Sequence, residues 1–382
     1  MALISLPPGF QIEPVPFLGE VPAPEPRSRL GVLENFNGSF TGSGFNTIFR
    51  PHSGANTTFP RDNILELNLI DDAITFSKDF GSVPNRGLKS QSNIFLNGIS
   101  YVQAVSAVTN EETGKADHSP IGIHFETGLW MNVPPTNNTP VLGESLVRMG
   151  SIPHGTTINA QCLAPTSNFS GPPEIPPASL AVFPTQGGAA VPIDSAKNAS
   201  VISSLRRPQD LSKFIAAGTI TQEMLDDPNT VLRNAIKGQT ILHNIAFTVS
   251  TSPTAPVFGG GAANIAFLEG DPAIMNPNAN TSLMTATFWI ETVEHKLRVP
   301  TFKRGQAPMK LSPISPAHQP VPVFLVDPPH DITVPKTITV TSIQIQYSQV
   351  VNLVFDLLIW PHITVSTLIP SDPVPVPDSV WN

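Results

Sequence analysis

The sequence predicts an all-β, antiparallel β-barrel with a short helical insertion, and three observations carry that reading. Apolar residues recur with period two in short runs, and turn signals such as Asn97-Gly98, Thr113-Gly114 and Pro134-Pro135 separate them. The chain holds 42 prolines in 382 residues, roughly twice the usual share, which excludes long helices and coiled coils. The hydrophobic period changes to that of a helix in one window only, 207–238.

Taken in order, residues 1–29 form a Pro-rich extended arm of polyproline character, with Pro7, Pro8, Pro14, Pro16, Pro22, Pro24 and Pro26. A first β-barrel half follows over 30–175. Its opening segment carries Gly38, Gly42 and Gly44, which suit bulges or close backbone approach. Ile64, Glu66 and Asn68 then alternate with Leu65, Leu67 and Leu69. Further strands are expected at 73–76, 93–96, 99–108, 121–133, 145–152 and 156–163. A helical insertion over 195–239 holds three short helices. Gly218 stops the first, Thr221 caps the second, and Pro228 and Gly238 bracket the third. A second β half over 240–370 places strands at 240–250, 264–269, 282–299, 338–348, 350–360 and 362–368, with a Pro-rich connection at 300–336. The tail, 371–382, is expected to be extended.

The two halves share a faint pattern. Asn93-Ile-Phe-Leu-Asn-Gly is echoed by Asn264-Ile-Ala-Phe-Leu-Glu-Gly, and Pro153-His-Gly-Thr by Pro361-His-Ile-Thr. A pseudo-repeat of two barrel halves is one reading of that order, and chance is the other.

Only 13% of residues are charged and the net charge is −8. A net negative chain with few Lys and Arg lacks the electrostatic footprint of a nucleic-acid or anionic-membrane binder. The longest apolar stretch, 350–365, is broken by Asn352, Asp356 and His362. It falls short of a membrane span of about 20 residues. Cys162 is the single cysteine, so a disulfide framework and a multi-thiolate zinc site are excluded. The first residues carry no basic segment, so a cytoplasmic location is expected rather than secretion. No nucleophile elbow, phosphate-binding loop, dinucleotide fingerprint or His-Glu-x-x-His occurs.

The residues left to carry chemistry lie on strands. In Ile121-Gly-Ile-His-Phe-Glu, period two puts His124 and Glu126 on one face. An imidazole beside a carboxylate makes an acid/base pair if that face lines a lumen, and a solvated pair if it faces water. Arg148 needs a carboxylate or an anionic ligand group if it is buried. Trp289 shares a face with Thr285, Thr287 and Glu291, while Gln344 and Gln346 oppose Ile343 and Ile345. Such neutral polar groups orient a ligand inside a barrel, or else face solvent. Trp130 would add an apolar wall. His362, after Trp360-Pro361, is the candidate metal ligand if haem is bound.

Three segments resemble the haem-binding β-barrel family of nitrobindins, which is similar to fatty-acid-binding proteins. They are Leu33-Glu-Asn-Phe-Asn-Gly-Ser-Phe-Thr-Gly-Ser-Gly, His124-Phe-Glu-Thr-Gly-Leu-Trp and the final strand His362-Ile-Thr-Val. Phe40 stands where that family's opening strand has Trp. The resemblance implies an antiparallel barrel with an interior pocket and His362 as proximal haem ligand. The two-half outline is also similar to the lipocalin-like cyclases of natural-product metabolism.

Together these readings predict a lipocalin-like barrel whose cavity binds a hydrophobic small molecule. The expected activity is that of a cofactor-independent cyclase or isomerase, including cycloaddition of the Diels-Alderase kind, with His124 and Glu126 catalytic. Trp130, Trp289, Arg148, Gln344 and Gln346 are expected to hold the substrate. The alternatives are a haem protein using His362 and a non-catalytic carrier of hydrophobic ligands. No nucleic acid or membrane partner is expected, and an oligomer is possible. All of this requires a lumen large enough for a guest.

Overall fold

The computed structural model describes residues 30–50, 64–137, 139, 141–164, 166–195, 207–253, 259–271, 273, 277–314 and 321–381. The Pro-rich arm 1–29 lies outside the described residues. Strand makes up 52% and helix 10%, and ten antiparallel strands close a barrel. They are β1 (Gly38–Phe49), β2 (Ile64–Phe76), β3 (Ile94–Ala107), β4 (Ile121–Val133), β5 (Ser145–Ser151), β6 (Thr156–Cys162), β7 (Thr240–Ser250), β8 (Asn280–Val299), β9 (Lys336–Phe355) and β10 (Leu358–Pro370). Each pairs with its neighbour in sequence, and β10 returns to β1, so the barrel runs up and down throughout. The stretches 30–175 and 240–370 therefore contribute six and four strands to one closed sheet.

The echoed motifs do not occupy equivalent places in it. Ile94 opens a strand, whereas Ala266–Glu269 is one turn of helix. Pro153 and His154 lie in the β5–β6 hairpin, whereas Pro361 and His362 lie within β10.

The two faces of the sheet are buried in different ways. Inside, Phe36, Phe76, Trp130, Phe247, Phe288 and Tyr347 join one apolar cluster drawn from around the barrel. Phe36 stacks on Phe76 at 4.7 Å, and Trp130 meets Phe288 edge-on at 5.2 Å. The 3-10 helix Gly31–Asn35 contributes Leu33 to this cluster and leads into Phe36. The cavity left within it is about 10 Å³, room for one water at most. The lumen expected to hold a bulky guest is thus packed with aromatic side chains.

Outside, Phe45, Leu65, Leu67, Trp289, Ile363 and Val365 pack beneath a cover. That cover includes the helices α1 (Ser212–Ala217), α2 (Gln222–Asp226) and α3 (Thr230–Ala235), together with Ile175, Leu180, Val182 and Ile193. Gly218 ends α1 in the left-handed region at φ 71°, as its position after the helix demands.

Three expectations about the second half are corrected, the first being the strand expected at 264–269, where a short strand Gly261–Asn264 ends and the helical turn Ala266–Glu269 follows. β9 runs unbroken through 336–355, and the turn to β10 falls at Asp356 and Leu357, both at positive φ. The Pro-rich connection and the tail are not bare extended chain. Met309–Leu311, Phe324–Val326 and Val374–Pro375 form a second small sheet. The chain then closes with a 3-10 turn, Asp378–Trp381, that buries Trp381 against Phe324 and Val326. Among the described residues no helix is long and apolar enough to cross a membrane.

Candidate functional site

Above the aromatic cluster the inward positions turn polar. On β4 the inward side chains are Trp130, Gly128, Glu126 and His124 in succession, and they face Ile99, Tyr101, Gln103 and Val105 of β3. Arg148 of β5 lies opposite Trp130. Its guanidinium sits 5.8 Å from the Trp130 ring and 5.7 Å from that of Phe288, at the boundary between the two layers.

Glu126 is fully buried, and its partners account for that. Arg148 Nη2 donates to both carboxylate oxygens at 3.0 and 3.1 Å. The Tyr101 hydroxyl donates to Oε1 and accepts from Arg148 Nε at 3.1 Å. Arg148 Nη1 donates to Gln349 Oε1 at 2.7 Å. Burial by itself would raise the Glu126 carboxyl. The Arg148 charge and the His124 and Tyr101 hydrogen bonds outweigh it and hold the group at about 2.

His124 Nε2 lies 3.4 Å from Glu126 Oε2. An ionised carboxylate only accepts, so Nε2 is the donor of this bond and Nδ1 is the ring nitrogen left for other partners. The His124 side chain is 19% exposed, so the base meets solvent while its carboxylate does not. The exposed His154, from the β5–β6 hairpin, stands edge-on to His124 with ring centroids 5.3 Å apart. Burial and the neighbouring His124 hold His154 below its ordinary value.

A second network stands across the barrel. The carboxyl of Asp72 on β2 accepts from the Tyr347 hydroxyl at 2.6 Å and from Gln103 Nε2 at 3.0 Å. Burial raises its pKa despite these bonds. His362 on β10 pairs with Val351 and faces inward beside Thr364. Burial pushes it down to about 4, and the charges of His124 and His154 act in the same direction.

The structure therefore gathers four of the expected site residues, His124, Glu126, Arg148 and Trp130, and sets His362 within the electrostatic reach of His124. It does not bring Trp289, Gln344 and Gln346 to them. The β9 register turns Ile345, Tyr347 and Gln349 inward. Gln344 and Gln346 face the helical cover instead, and Gln346 donates to the Leu232 carbonyl of α3 at 3.0 Å. Trp289, with Thr285 and Thr287, floors an outer groove of about 350 Å³ walled by Pro176, Pro177 and Phe183. This polar face lies outside the lumen: the second layer buries Glu291, Gln344 and Gln346, while Thr285 and Thr287 line the open groove.

Sequence reasoning missed Tyr101, Asp72, Gln103, Tyr347 and Gln349. Each follows the alternation of its own strand, but nothing local marks which strand lies opposite which. Glu291 was noted only for its face. It is buried on the outer side, donated to by Gln344, and burial pushes its pKa up to about 8.

The haem implied by the family resemblance does not fit this interior. The cavity within the aromatic cluster holds about 10 Å³, His362 does not line it, and a porphyrin placed there would have to displace Trp130, Phe288 and Tyr347. Among the described residues no group of three His, Cys, Asp or Glu is placed to hold a metal ion. No family model matches the chain, and no curated protein or solved structure matches it either.

Proposed function

We propose that this barrel carries out acid–base chemistry on an uncharged small molecule at its polar mouth, as an isomerase without an organic cofactor. The observation that carries the reading is His124, a partly exposed imidazole backed by a fully buried carboxylate that Arg148 and Tyr101 keep ionised. A carboxylate behind an imidazole fixes its tautomer and stabilises the imidazolium formed when it takes a proton.

In the proposed step His124 Nδ1 removes a proton from carbon next to a carbonyl. The electron pair moves onto the carbonyl oxygen, and the imidazolium returns the proton at a conjugated carbon. The double bond shifts and no atom is gained or lost. His154 is near enough to exchange that proton with solvent. The packed lumen confines the reaction to the mouth, so a hydrophobic substrate would lie across it rather than enter.

The test needs no knowledge of the natural substrate. Opening of 5-nitrobenzisoxazole requires only that a base take one carbon-bound proton, whereupon that bond's electron pair completes a nitrile, the N–O bond breaks and the ring opens to a coloured cyanophenolate. The protein should catalyse this saturably, and His124→Gln should lower kcat/KM by about 10²-fold or more with an unchanged Tm. Equal rates in the two proteins would reject His124 as the base.

A further inference from the structure

The outer groove floored by Trp289 lies on the other face of the sheet from His124 and takes no part in the proton chemistry. Its floor belongs to β8 and β9, where Thr287 pairs with Ser348 and Thr285 with Val350. Asn352 of β9 and Pro361 of β10, paired with each other, continue it. One wall is the chain at Pro176, Pro177 and Ala178, and Phe183 stands where the same chain pairs with Ile359 of β10. That wall is fastened to the helical cover. Asn229 Nδ2 donates to the Pro176 carbonyl at 2.7 Å, and the Ala178 N–H donates to Asp227 Oδ1 at 2.9 Å. Proline rings restrict the same backbone further, so the groove is preformed. Its volume of about 350 Å³ lies within the span of small-molecule pockets, roughly 300–1,000 Å³.

The groove is uncharged but not apolar. Among the described residues no Asp, Glu, Lys, Arg or His lines it. An ion entering it would lose water and meet no counter-charge. Thr285, Ser348 and Asn352 set two hydroxyls and an amide on the floor, and none of these side chains makes a hydrogen bond among the described residues. Thr285 and Asn352 are partly exposed, as is Thr287, whose hydroxyl pairs with that of Thr248 at 2.8 Å. A purely apolar ligand on this floor would strand those groups without partners, at a cost in affinity. An extended peptide is disfavoured for another reason. β8 and β9 are each paired on both sides, so the floor offers no free strand edge to main-chain hydrogen bonds. Phe183 and the rings of Pro176, Pro177 and Pro361 supply the apolar surface beside the polar floor.

We propose that this groove binds a neutral carbohydrate. A sugar ring carries hydroxyls that both donate and accept around its edge, and C–H groups over its faces. The edge exchanges hydrogen bonds with Thr285, Ser348 and Asn352, whose hydroxyls and amide likewise both donate and accept. A C–H face packs on Phe183 and the proline wall. The inference is independent of reading His124 as a base, because the two sites lie on opposite faces of the sheet.

The test titrates the full-length protein with the neutral disaccharides maltose, cellobiose, lactose and diacetylchitobiose, followed by ligand-observed NMR. Glucuronate, cyclohexanol and the capped peptide acetyl-Pro-Pro-Pro-amide serve as charged, apolar and peptide controls. At least one disaccharide should bind saturably with a Kd of about 1 mM or below, and each control about tenfold more weakly or worse. Thr285→Val and Ser348→Ala each remove one floor hydroxyl. Each should weaken that disaccharide about tenfold with an unchanged Tm, and either one decides if the other does not fold. His124→Gln should bind sugar as wild type does while losing proton abstraction, which separates failure of the groove from failure of the base. No saturable binding by any of the disaccharides at about 10 mM would overturn the proposal. So would a control that binds as tightly as the best sugar, or sugar binding that neither hydroxyl variant weakens.

Discussion

At Glu126 burial and charge oppose each other, and the balance sets what the site can do. Taking a carboxylate fully out of water is costly unless it is paired and hydrogen-bonded, and Arg148, Tyr101 and His124 meet that demand together. The folded carboxyl sits at about 2 against an ordinary 4.5. Its contribution to stability is therefore complete above 4.5 and lost as pH falls toward 2. Glu126→Gln would leave the Arg148 charge buried without its partner. A loss of about 3–5 kcal/mol is expected, measurable by urea denaturation at pH 7. Glu291 has the opposite sign. Burial lifts it to about 8 with no cation paired to it among the described residues, so the unfolded chain ionises first. Stability then declines between 4.5 and 8 by up to about 1.4 kcal/mol per pH unit. Glu291→Gln should remove that decline, so that its Tm exceeds wild type at pH 8 and approaches it at pH 4. Matching curves for the two proteins would contradict the assignment.

Among the strands, pairing and small residues determine how these groups meet. Gly128 of β4 lies opposite Gly150 of β5. A Cβ at Gly150 would meet Glu126 Oε1 and stand 2.9 Å from the Tyr101 hydroxyl, while one at Gly128 would press on the Tyr101 ring. The two glycines thus leave the space that the buried network fills. Gly150→Ala should lower stability by about 1–3 kcal/mol and reduce proton abstraction, whereas Gly143→Ala, where an added Cβ touches nothing, should do neither. Period two placed His124 and Glu126 together from sequence alone, and Gly218 marked the end of α1. The β9–β10 turn was less legible. Asp356 and Leu357 both adopt positive φ, a conformation usually signalled by Asn-Gly or Asp-Gly, so the sequence places the strand break near Pro361 rather than at the turn. Gln344 and Gln346 misled for a related reason. Alternation reports that two faces differ, but not which one is inside when helices bury the other.

Over the whole molecule the closed sheet separates two apolar cores, one in the lumen and one under the helical cover, and within the lumen the described polar network of Glu126, Arg148 and His124 lies beyond the aromatic cluster. The barrel class was legible because ten strands each repeat the same two-residue period. The filling of the lumen was not, since it depends on aromatic rings brought together across the barrel from distant segments such as Phe36, Trp130, Phe247 and Phe288. A packed lumen also bears on haem. Titration with haem should give no stoichiometric Soret band, and a band that His362→Ala removes would mean that the interior opens. The mouth, not the lumen, is the proposed seat of reaction. The most direct measurement compares 5-nitrobenzisoxazole turnover in His124→Gln with turnover in Phe247→Leu, which trims the lumen well below the polar layer. The account predicts turnover lost in the first and kept in the second. Turnover kept in His124→Gln and changed severalfold in Phe247→Leu would contradict it.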